Sequence, residues 1–317
     1  MSIRLQVLVP IVCVAIACAL SIGLIGIFNL HSFAEDSGRN SAQSANEVAA
    51  VFMEQQALSA SHASASAAEN GDVVEAMEAF LSKGNRANLI TTASHIARNA
   101  GVDFMTIVDK DGNVVVRTHE PANFGDNLAK QANLASALAG NRYTTVEPGS
   151  AVRLSVRSGA PIFSGEKLIG AVSSGFRFDR NDFVDNIKKM CHTEVTVFLG
   201  DERVSTTLLD ETGERNVGTK AAENIARQVL GGKDYVGKTT VAGKKMFTCY
   251  SPIRDAEKNI VGMLLCGYDT AGIDARMNRM VAIMIAIVIA IAAAAVFVGA
   301  GVSARIEKRL DKLANVA

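Results

Sequence analysis

The 317-residue chain is short of several things, and each shortage excludes a class of function. It has no net charge, with 32 Lys and Arg against 32 Asp and Glu. A protein that tracks nucleic-acid phosphates needs a net basic face. No block here is strongly basic, so nucleic acid is not an expected partner. The five histidines are scattered, none at ligand spacing from another, so no metal site is expected. Covalent haem would need Cys-x-x-Cys-His, of which Cys191-His192 is only the last pair. Of the five cysteines, Cys13 and Cys18 fall in an apolar run. Cys191, Cys249 and Cys266 remain, an odd number that implies no disulfide framework. Cys249 and Cys266 fall in two neighbouring predicted strands, where they are either a pair or free buried thiols. No nucleophile–base–acid set stands out. Neither an enzyme nor a cofactor is expected.

What the chain does have is apolar sequence concentrated near its ends. Val7 to Phe28 is 22 residues without a charge, and Met280 to Val302 is 23. A helix needs about 20 apolar residues to cross a bilayer core, so each run predicts one transmembrane helix, 7–28 and 280–302. The first is too long for the roughly 7–15-residue core of a cleaved signal peptide, and no small-x-small cleavage site precedes His31. It is read as a signal anchor. Arg305, Lys308, Arg309 and Lys312 follow the second span, and Arg4 precedes the first. Against Arg276 and Arg279 on the other side, this bias predicts cytoplasmic termini. Residues 31–279 are then periplasmic or extracellular, and residues 1–6 form a cytoplasmic N-terminus.

Between the spans the periodicity changes twice. Residues 31–100 read as helices: a long stalk to about Asn70, rich in Ala and Ser, then a helix beginning at an Asp72–Glu75 capping box, then Asn88 to Ala100. The small residues of the stalk predict close contact with a partner helix. Strand patterning follows at 104–108, 114–118, 144–147, 152–158 and 168–178, with helices at 127–139 and 182–190. The same order then repeats, with strands at 194–199, 203–209, 237–241, 245–251 and 260–268 and a helix at 221–230.

The repeat is visible in residues as well. Pro161-Ile162 is followed by Glu166-Lys167, Gly170 and Gly175-Phe176, and Pro252-Ile253 by Glu257-Lys258, Gly262 and Gly267-Tyr268. The prolines are 91 residues apart, and the glycines keep a five-residue separation in both copies. This predicts two alike α+β modules in tandem, 101–190 and 191–270, with a connecting helix at 271–279.

Two motifs are set aside. Gly232 to Thr239 (GKDYVGKT) matches a phosphate-binding loop, but that chemistry needs a strand before the loop and a helix after it. Here a helix precedes and a strand follows. Asp109, Asp111 and Asn113 begin like a calcium loop, but lack its glycine at the sixth position and its Glu at the twelfth. A hairpin turn explains them.

The phrases 103–117 (DFMTIVDKDGNVVVR), 156–163 (VRSGAPIF), 194–207 (EVTVFLGDERVSTT), 217–220 (VGTK) and 260–267 (IVGMLLCG), with the flanking spans, resemble the double Cache sensor region, of the fused Cache type, of bacterial methyl-accepting chemotaxis proteins. The resemblance implies an α+β fold: two transmembrane helices bracketing a long stalk helix and two tandem PAS-like antiparallel-sheet modules. It also implies an extracytoplasmic sensor in the inner membrane that works as a homodimer. Ligand would sit in the membrane-distal module, 101–190, and the signal would cross the bilayer as a helix displacement. Residues 303–317 (SARIEKRLDKLANVA) resemble the opening of a HAMP helix without its usual proline, and no output domain follows. The cytoplasmic signalling partners would act through an output domain outside this chain. A histidine kinase or diguanylate cyclase sensor region, or a tethered binding protein with no output domain, are the alternatives.

Alternation along 152–158 puts Val152, Leu154 and Val156 on one face and Arg153, Ser155 and Arg157 on the other. Two guanidiniums on one face suit a small anionic ligand, a carboxylate above all. Arg117, His119, Tyr143 and Ser174 are expected to complete the pocket. The alternative is that this face is simply solvated. In the second module Arg203, Ser205 and Thr207 share a face, with Arg254 nearby, as a secondary candidate pocket.

Overall fold

The computed structural model describes residues 3–149 and 152–314. The first two residues of the N-terminal segment and the last three of the HAMP-like segment lie outside them. Helix α1 (Ile3–Ala68) runs unbroken for 66 residues, from the first apolar run into the Ala/Ser-rich stretch. A second long helix (Ala271–Ala314) carries the second run over 44 residues. By contacts the chain forms two compact units, one of residues up to Gly38 with those from Thr270, the other Arg39–Asp269. In the first unit, side chains such as Ile22, Phe28, Ile289 and Phe297 are exposed. Both helices are long and apolar enough to cross a membrane.

The second unit is α+β. After α1 come α2 (Gly71–Lys83) and α3 (Ala87–Ala100), then β1 (Phe104–Asp109), β2 (Val114–Arg117), α4 (Ala132–Leu138), β3 (Tyr143–Pro148), β4 (Leu154–Ser164), β5 (Lys167–Arg177) and α5 (Asn181–Cys191). The second run is β6 (Glu194–Leu199), β7 (Glu202–Thr206), α6 (Glu223–Leu230), β8 (Tyr235–Val241), β9 (Lys244–Arg254) and β10 (Ile260–Asp269), followed by α7, the Ala271–Ala314 helix. The strands form two antiparallel sheets, β2-β1-β5-β4-β3 and β7-β6-β10-β9-β8. The second order is the first with each strand advanced by five. The sequence repeat is therefore a repeat of topology.

Each sheet has one face on the long helix. Ala60, Ala63 and Ala67 of α1 are buried, two of them in a core with Met105, Ile107, Val116, Ala160 and Val172 of the first sheet. Lower on α1, Ala42 packs against Phe247 and Cys249 of the second sheet. Asn46 donates Nδ2 to the carbonyls of Cys249 and Leu264 at 3.2 Å each and accepts from Ser251 Oγ at 2.7 Å. The small residues of the stalk thus receive the chain's own sheets, where the sequence predicted a partner helix. A Cβ is all that fits between helix and sheet at those positions.

Several local readings are corrected. The N-cap of α2 is Asn70, whose Oδ1 accepts from Asp72 and Val73 N–H, so Asp72 is inside the helix. Helix α4 starts at Ala132, not Asn127, because Asn127 is held in a turn: its Nδ2 donates to Asp111 O at 2.8 Å and Asn113 Oδ1 at 3.0 Å. Asp109 Oδ1 accepts from Asp111 and Asn113 N–H, which is the hairpin-turn reading of those acids. Strand β8 follows α6 across Gly231–Asp234, so the GKDYVGKT segment has no helix N-terminus after it. Cys249 and Cys266 stand opposite each other in β9 and β10, both as buried free thiols. Burial pushes the Cys249 thiol up to about 11 and raises Cys266 as well.

Candidate functional site

The other face of the first sheet is set by strand register. Pairing places Arg117 opposite Thr106, Thr106 opposite Ser173, Gly175 opposite Arg157 and Thr145 opposite Arg157. These residues therefore share one side. Helix α4 covers part of it. It comes this close because Gly159 has no side chain: a Cβ there would stand 2.1 Å from Asn133 O. Gly175 likewise clears space for the Phe104 ring, whose Cζ would be 2.7 Å from a Cβ.

Between the segment that leads into α4 and the sheet lies a cavity of about 60 Å³, lined by Phe104, Thr106, Arg117, His119, Leu128, Gln131, Val152, Arg157 and Ser173. That holds about four waters or one small solute. Arg157 is buried to 8% exposure. Its Nε donates to Ser155 Oγ at 2.6 Å and its Nη2 to Val152 O at 3.5 Å, and its Cζ lies 5.5 Å from the Phe104 centroid. Burial lowers its pKa, opposed by Glu147 and Asp179, but a guanidinium keeps its charge. Among the described residues, no carboxylate oxygen stands within 4 Å of it, whereas its neighbours Arg117, Arg153 and Arg177 each have one.

The rest of the lining holds one buried polar atom without a partner among the described residues. His119 sets its ring edge toward Phe104 at 5.7 Å between centroids, and its buried Nδ1 has no hydrogen-bond partner among the described residues. Burial lowers the His119 pKa, and the charges of Arg117, Arg177 and Arg157 push the same way. The side chains of Thr106 and Gln131 make no hydrogen bond among the described residues. Ser173 Oγ accepts from Asn133 Nδ2 at 2.7 Å. Buried polar groups are normally paired, so His119 Nδ1, in the same cavity as Arg157, marks a place for a polar guest.

Of the residues expected at this pocket, Arg117, His119 and Arg157 line the cavity, and Ser155 holds the Arg157 guanidinium. Three do not join them. Arg153 precedes β4, and its guanidinium reaches Glu202 of β7 at 3.1 Å, so the expected arginine pair on one face does not exist. Ser174 is on the helix side, donating to Ala60 O at 2.9 Å. Tyr143 is half-buried on the edge strand β3; burial raises its pKa, and the nearby Glu257 and Asp255 add to the rise. Sequence reasoning missed Phe104, Thr106, Leu128, Gln131, Val152 and Ser173. Ser173 and Thr106 join the face of Arg157 through the cross-strand register of β1, β4 and β5, for which alternation within one strand gives no signal.

The corresponding positions of the second sheet are filled. Thr248 stands opposite Gly267, Tyr250 opposite Leu265 and Thr206 opposite Thr196. They occupy the places of Arg157, Gly159 and Arg117, and Leu265 that of Ser173. Tyr250, Phe198, Met263 and Leu265 pack there with α6. The secondary candidates are engaged in structure. Arg203 Nη1 donates to Thr219 Oγ1 at 2.6 Å and Lys220 O at 2.9 Å, leaving its buried Nε unpartnered among the described residues. Ser205 donates to Phe178 O at 2.7 Å, Thr207 binds the Glu194 carboxylate, and Arg254 Nη1 donates to Lys258 O at 3.1 Å.

The two sheets share an apolar core, in which Leu154 and Val156 pack with Val195, Val197, Val204 and Ile253, and polar links: Arg153 on Glu202, Ser205 on Phe178 O, and Ala256 N–H on Thr145 Oγ1 at 3.1 Å. Thr145 is the cross-strand neighbour of Arg157.

Two family models, both described as single Cache domain 3, match the chain over residues 47–182 and 177–280. No curated protein matches it. Among solved structures, the sensor domain of the Vibrio cholerae histidine kinase DctB is 11% identical, covering 73% of this chain and 97% of that one, with a TM-score of 0.47. The ligand-binding domain of the Campylobacter jejuni chemoreceptor Tlp3, in complex with 4-methylisoleucine, is 7% identical, covering 76% and 92%, also at 0.47. A domain of a putative sensory box/GGDEF family protein from Vibrio parahaemolyticus is 12% identical, covering 75% and 96%, at 0.46. Each of the two sheets, with its helices, is a Cache module, and together the two modules make this stretch of the chain a sensor region of the Cache type.

Proposed function

We propose that the chain is the extracytoplasmic sensor region of a two-pass bacterial inner-membrane receptor. On this reading residues 31–279 lie in the periplasm or outside the cell, and a small anionic solute, a carboxylate, binds between the first sheet and the segment that leads into α4. The observation that carries it is the Arg157 guanidinium, buried in a cavity with no carboxylate within 4 Å among the described residues. A carboxylate would take that guanidinium in charge-assisted hydrogen bonds strengthened by desolvation.

Signalling requires that ligand favour one of two helix arrangements, typically by ~1–3 kcal/mol of coupling. Arg157 faces Thr145, which holds the β9–β10 turn of the second module, and this supports a route from cavity to proximal module to α7. The exposed stripe Val48, Val51 and Leu58 on α1 supports a homodimer with paired stalks. The output is read as that of a methyl-accepting chemotaxis protein, on the sequence resemblance, through a HAMP helix and an output domain outside these residues. The role is binding, with no catalytic step.

The test is a thermal-shift screen of small carboxylates on the full chain in detergent micelles. A ligand that binds the folded state raises the midpoint by mass action, and Arg157→Ala removes the rise. A panel without any rise, or a rise that survives Arg157→Ala, ends this reading.

A further inference from the structure

The cavity carries a charge count as well as a shape. Arg117, although it lines the cavity, is spent on Asp126, to which it donates twice, at 2.7 and 2.6 Å. Around the same face Arg177 holds Asp179 at 2.9 Å, Arg153 holds Glu202 at 3.1 Å, and Arg180 holds Asp182. Arg157 is the arginine of this group that no carboxylate neutralises within 4 Å among the described residues. Glu147, whose buried Oε1 has no hydrogen-bond partner among the described residues, and Asp179 oppose the Arg157 charge only from beyond that distance, so the guanidinium has contact room for one guest carboxylate and no more. A second carboxylate would leave water for a cavity with no cation to meet it, at a cost of several kcal/mol for an uncompensated charge.

The remaining lining narrows the class further. It contains no Asp or Glu, so the ammonium of an amino acid would have no counter-ion there. Phe104, Leu128 and Val152 offer apolar contact. Thr106, Gln131 and Ser173 offer neutral polar groups. Of the residues that line the cavity, His119 has a buried atom, Nδ1, without a partner among the described residues, and its desolvation is left uncompensated.

Resting on the binding reading above, we infer that the ligand is a short monocarboxylate bearing a hydroxyl group, a 2-hydroxy acid. Its carboxylate lies on Arg157 and its hydroxyl hydrogen-bonds His119 Nδ1. The short chain packs on Phe104 and Val152. A site built to hydrogen-bond a hydroxyl rejects the analogue lacking it, because the site's own polar atom is then left unpaired.

The experiment is titration calorimetry on the full chain in detergent micelles with four small probes: lactate, propionate, succinate and alanine. Lactate is expected to bind at least about tenfold more tightly than each of the other three. His119→Phe is expected to bring lactate down to the propionate level with propionate itself unchanged. His119→Gln, which keeps an acceptor at the rim, is expected to retain part of the preference. Succinate or alanine binding as tightly as lactate, with Arg157→Ala abolishing it, overturns this inference and leaves the carboxylate site standing. Equal affinity for lactate and propionate overturns the hydroxyl assignment, as does a lactate preference that survives His119→Phe. Binding that Arg157→Ala does not change overturns both readings. Silence from all four probes overturns the 2-hydroxy acid, while the wider carboxylate panel separately decides the site.

Discussion

Ser173 and Ser174 are consecutive in β5 and serve opposite sides of the first sheet. Ser173 Oγ lines the cavity and accepts from Asn133 Nδ2 of α4 at 2.7 Å. Ser174 Oγ donates to Ala60 O of α1 at 2.9 Å. Both side chains are buried, but they answer to different tests. Ser174→Ala is expected to cost about 1 kcal/mol of stability, the worth of one buried neutral hydrogen bond, with ligand affinity unchanged. Ser173→Ala is expected to weaken ligand binding by more than Ser174→Ala does. Chemical unfolding of both variants beside calorimetry checks the split, and equal effects on affinity would contradict it.

Arg153 and Arg157 separate in the same way. Arg157→Ala is expected to abolish binding, whereas Arg153→Ala is expected to leave affinity within about twofold. Arg153 is part-exposed on Glu202, and exposed ion pairs contribute about 0–1 kcal/mol. Arg153→Ala is instead expected to increase hydrogen exchange in β7, where Glu202 loses its partner. An affinity loss in Arg153→Ala as large as in Arg157→Ala would return Arg153 to the site.

The same two arginines show where the sequence was legible and where it was not. The two long apolar helices, the tandem repeat and the succession of strands along the chain could be read because hydrophobic runs and two-residue alternation are local signals. Alternation also paired Ser155 with Arg157, and the structure keeps them on one side. It failed at Arg153 because β4 begins at Leu154: outside a ladder, parity no longer fixes where a side chain points. It failed at Ser174 because nothing in β5 alone says which of its faces matches that of β4; the Gly175–Arg157 register decides it. The partners of Arg117 and Arg153, Asp126 and Glu202, lie in other segments, so which guanidinium remained unneutralised could not be read from spacing. Tyr250 and Leu265 fill the second cavity, and comparing the repeat copies position by position was the signal for that.

His119 gives the site a pH signature. Burial holds its pKa below the ordinary 6.5, with Arg117, Arg177 and Arg157 pushing the same way and Glu120 opposing. Above pH 6.5 the imidazole is neutral whether the chain is folded or not, and it contributes no pH dependence. Below that value the unfolded chain takes up the proton first, so stability falls as pH falls toward the folded value. The midpoint of the wild-type chain is therefore expected to drop relative to His119→Gln between pH 7 and about pH 5.5. Parallel melting curves of the two proteins across that range would refute this.

The pairing of Arg117 with Asp126 predicts a change of specificity by a single neutral substitution. Arg117 keeps 11% side-chain exposure and Asp126 keeps 49%, so the carboxylate is the solvent-facing half of the pair and the guanidinium the half at the cavity. Asp126→Asn removes the charge and leaves one amide oxygen in its place. Arg117 then carries an unmatched charge beside Arg157, and the cavity offers two cations where it offered one. Succinate is expected to bind Asp126→Asn at least about tenfold more tightly than the wild type, because its second carboxylate now meets a counter-ion. Lactate affinity is expected to rise less, since its single carboxylate already has Arg157. The substitution itself is expected to cost roughly 1–3 kcal/mol, because the mostly buried Arg117 guanidinium loses its charged partner. It is also expected to flatten the acid limb of stability, since the Arg117 hydrogen bonds hold the Asp126 pKa below its ordinary 3.8 and stability is lost as pH falls through the lowered value. Succinate affinity unchanged in Asp126→Asn would mean that Arg117 cannot reach a guest, and would remove it from the cavity's recognition groups.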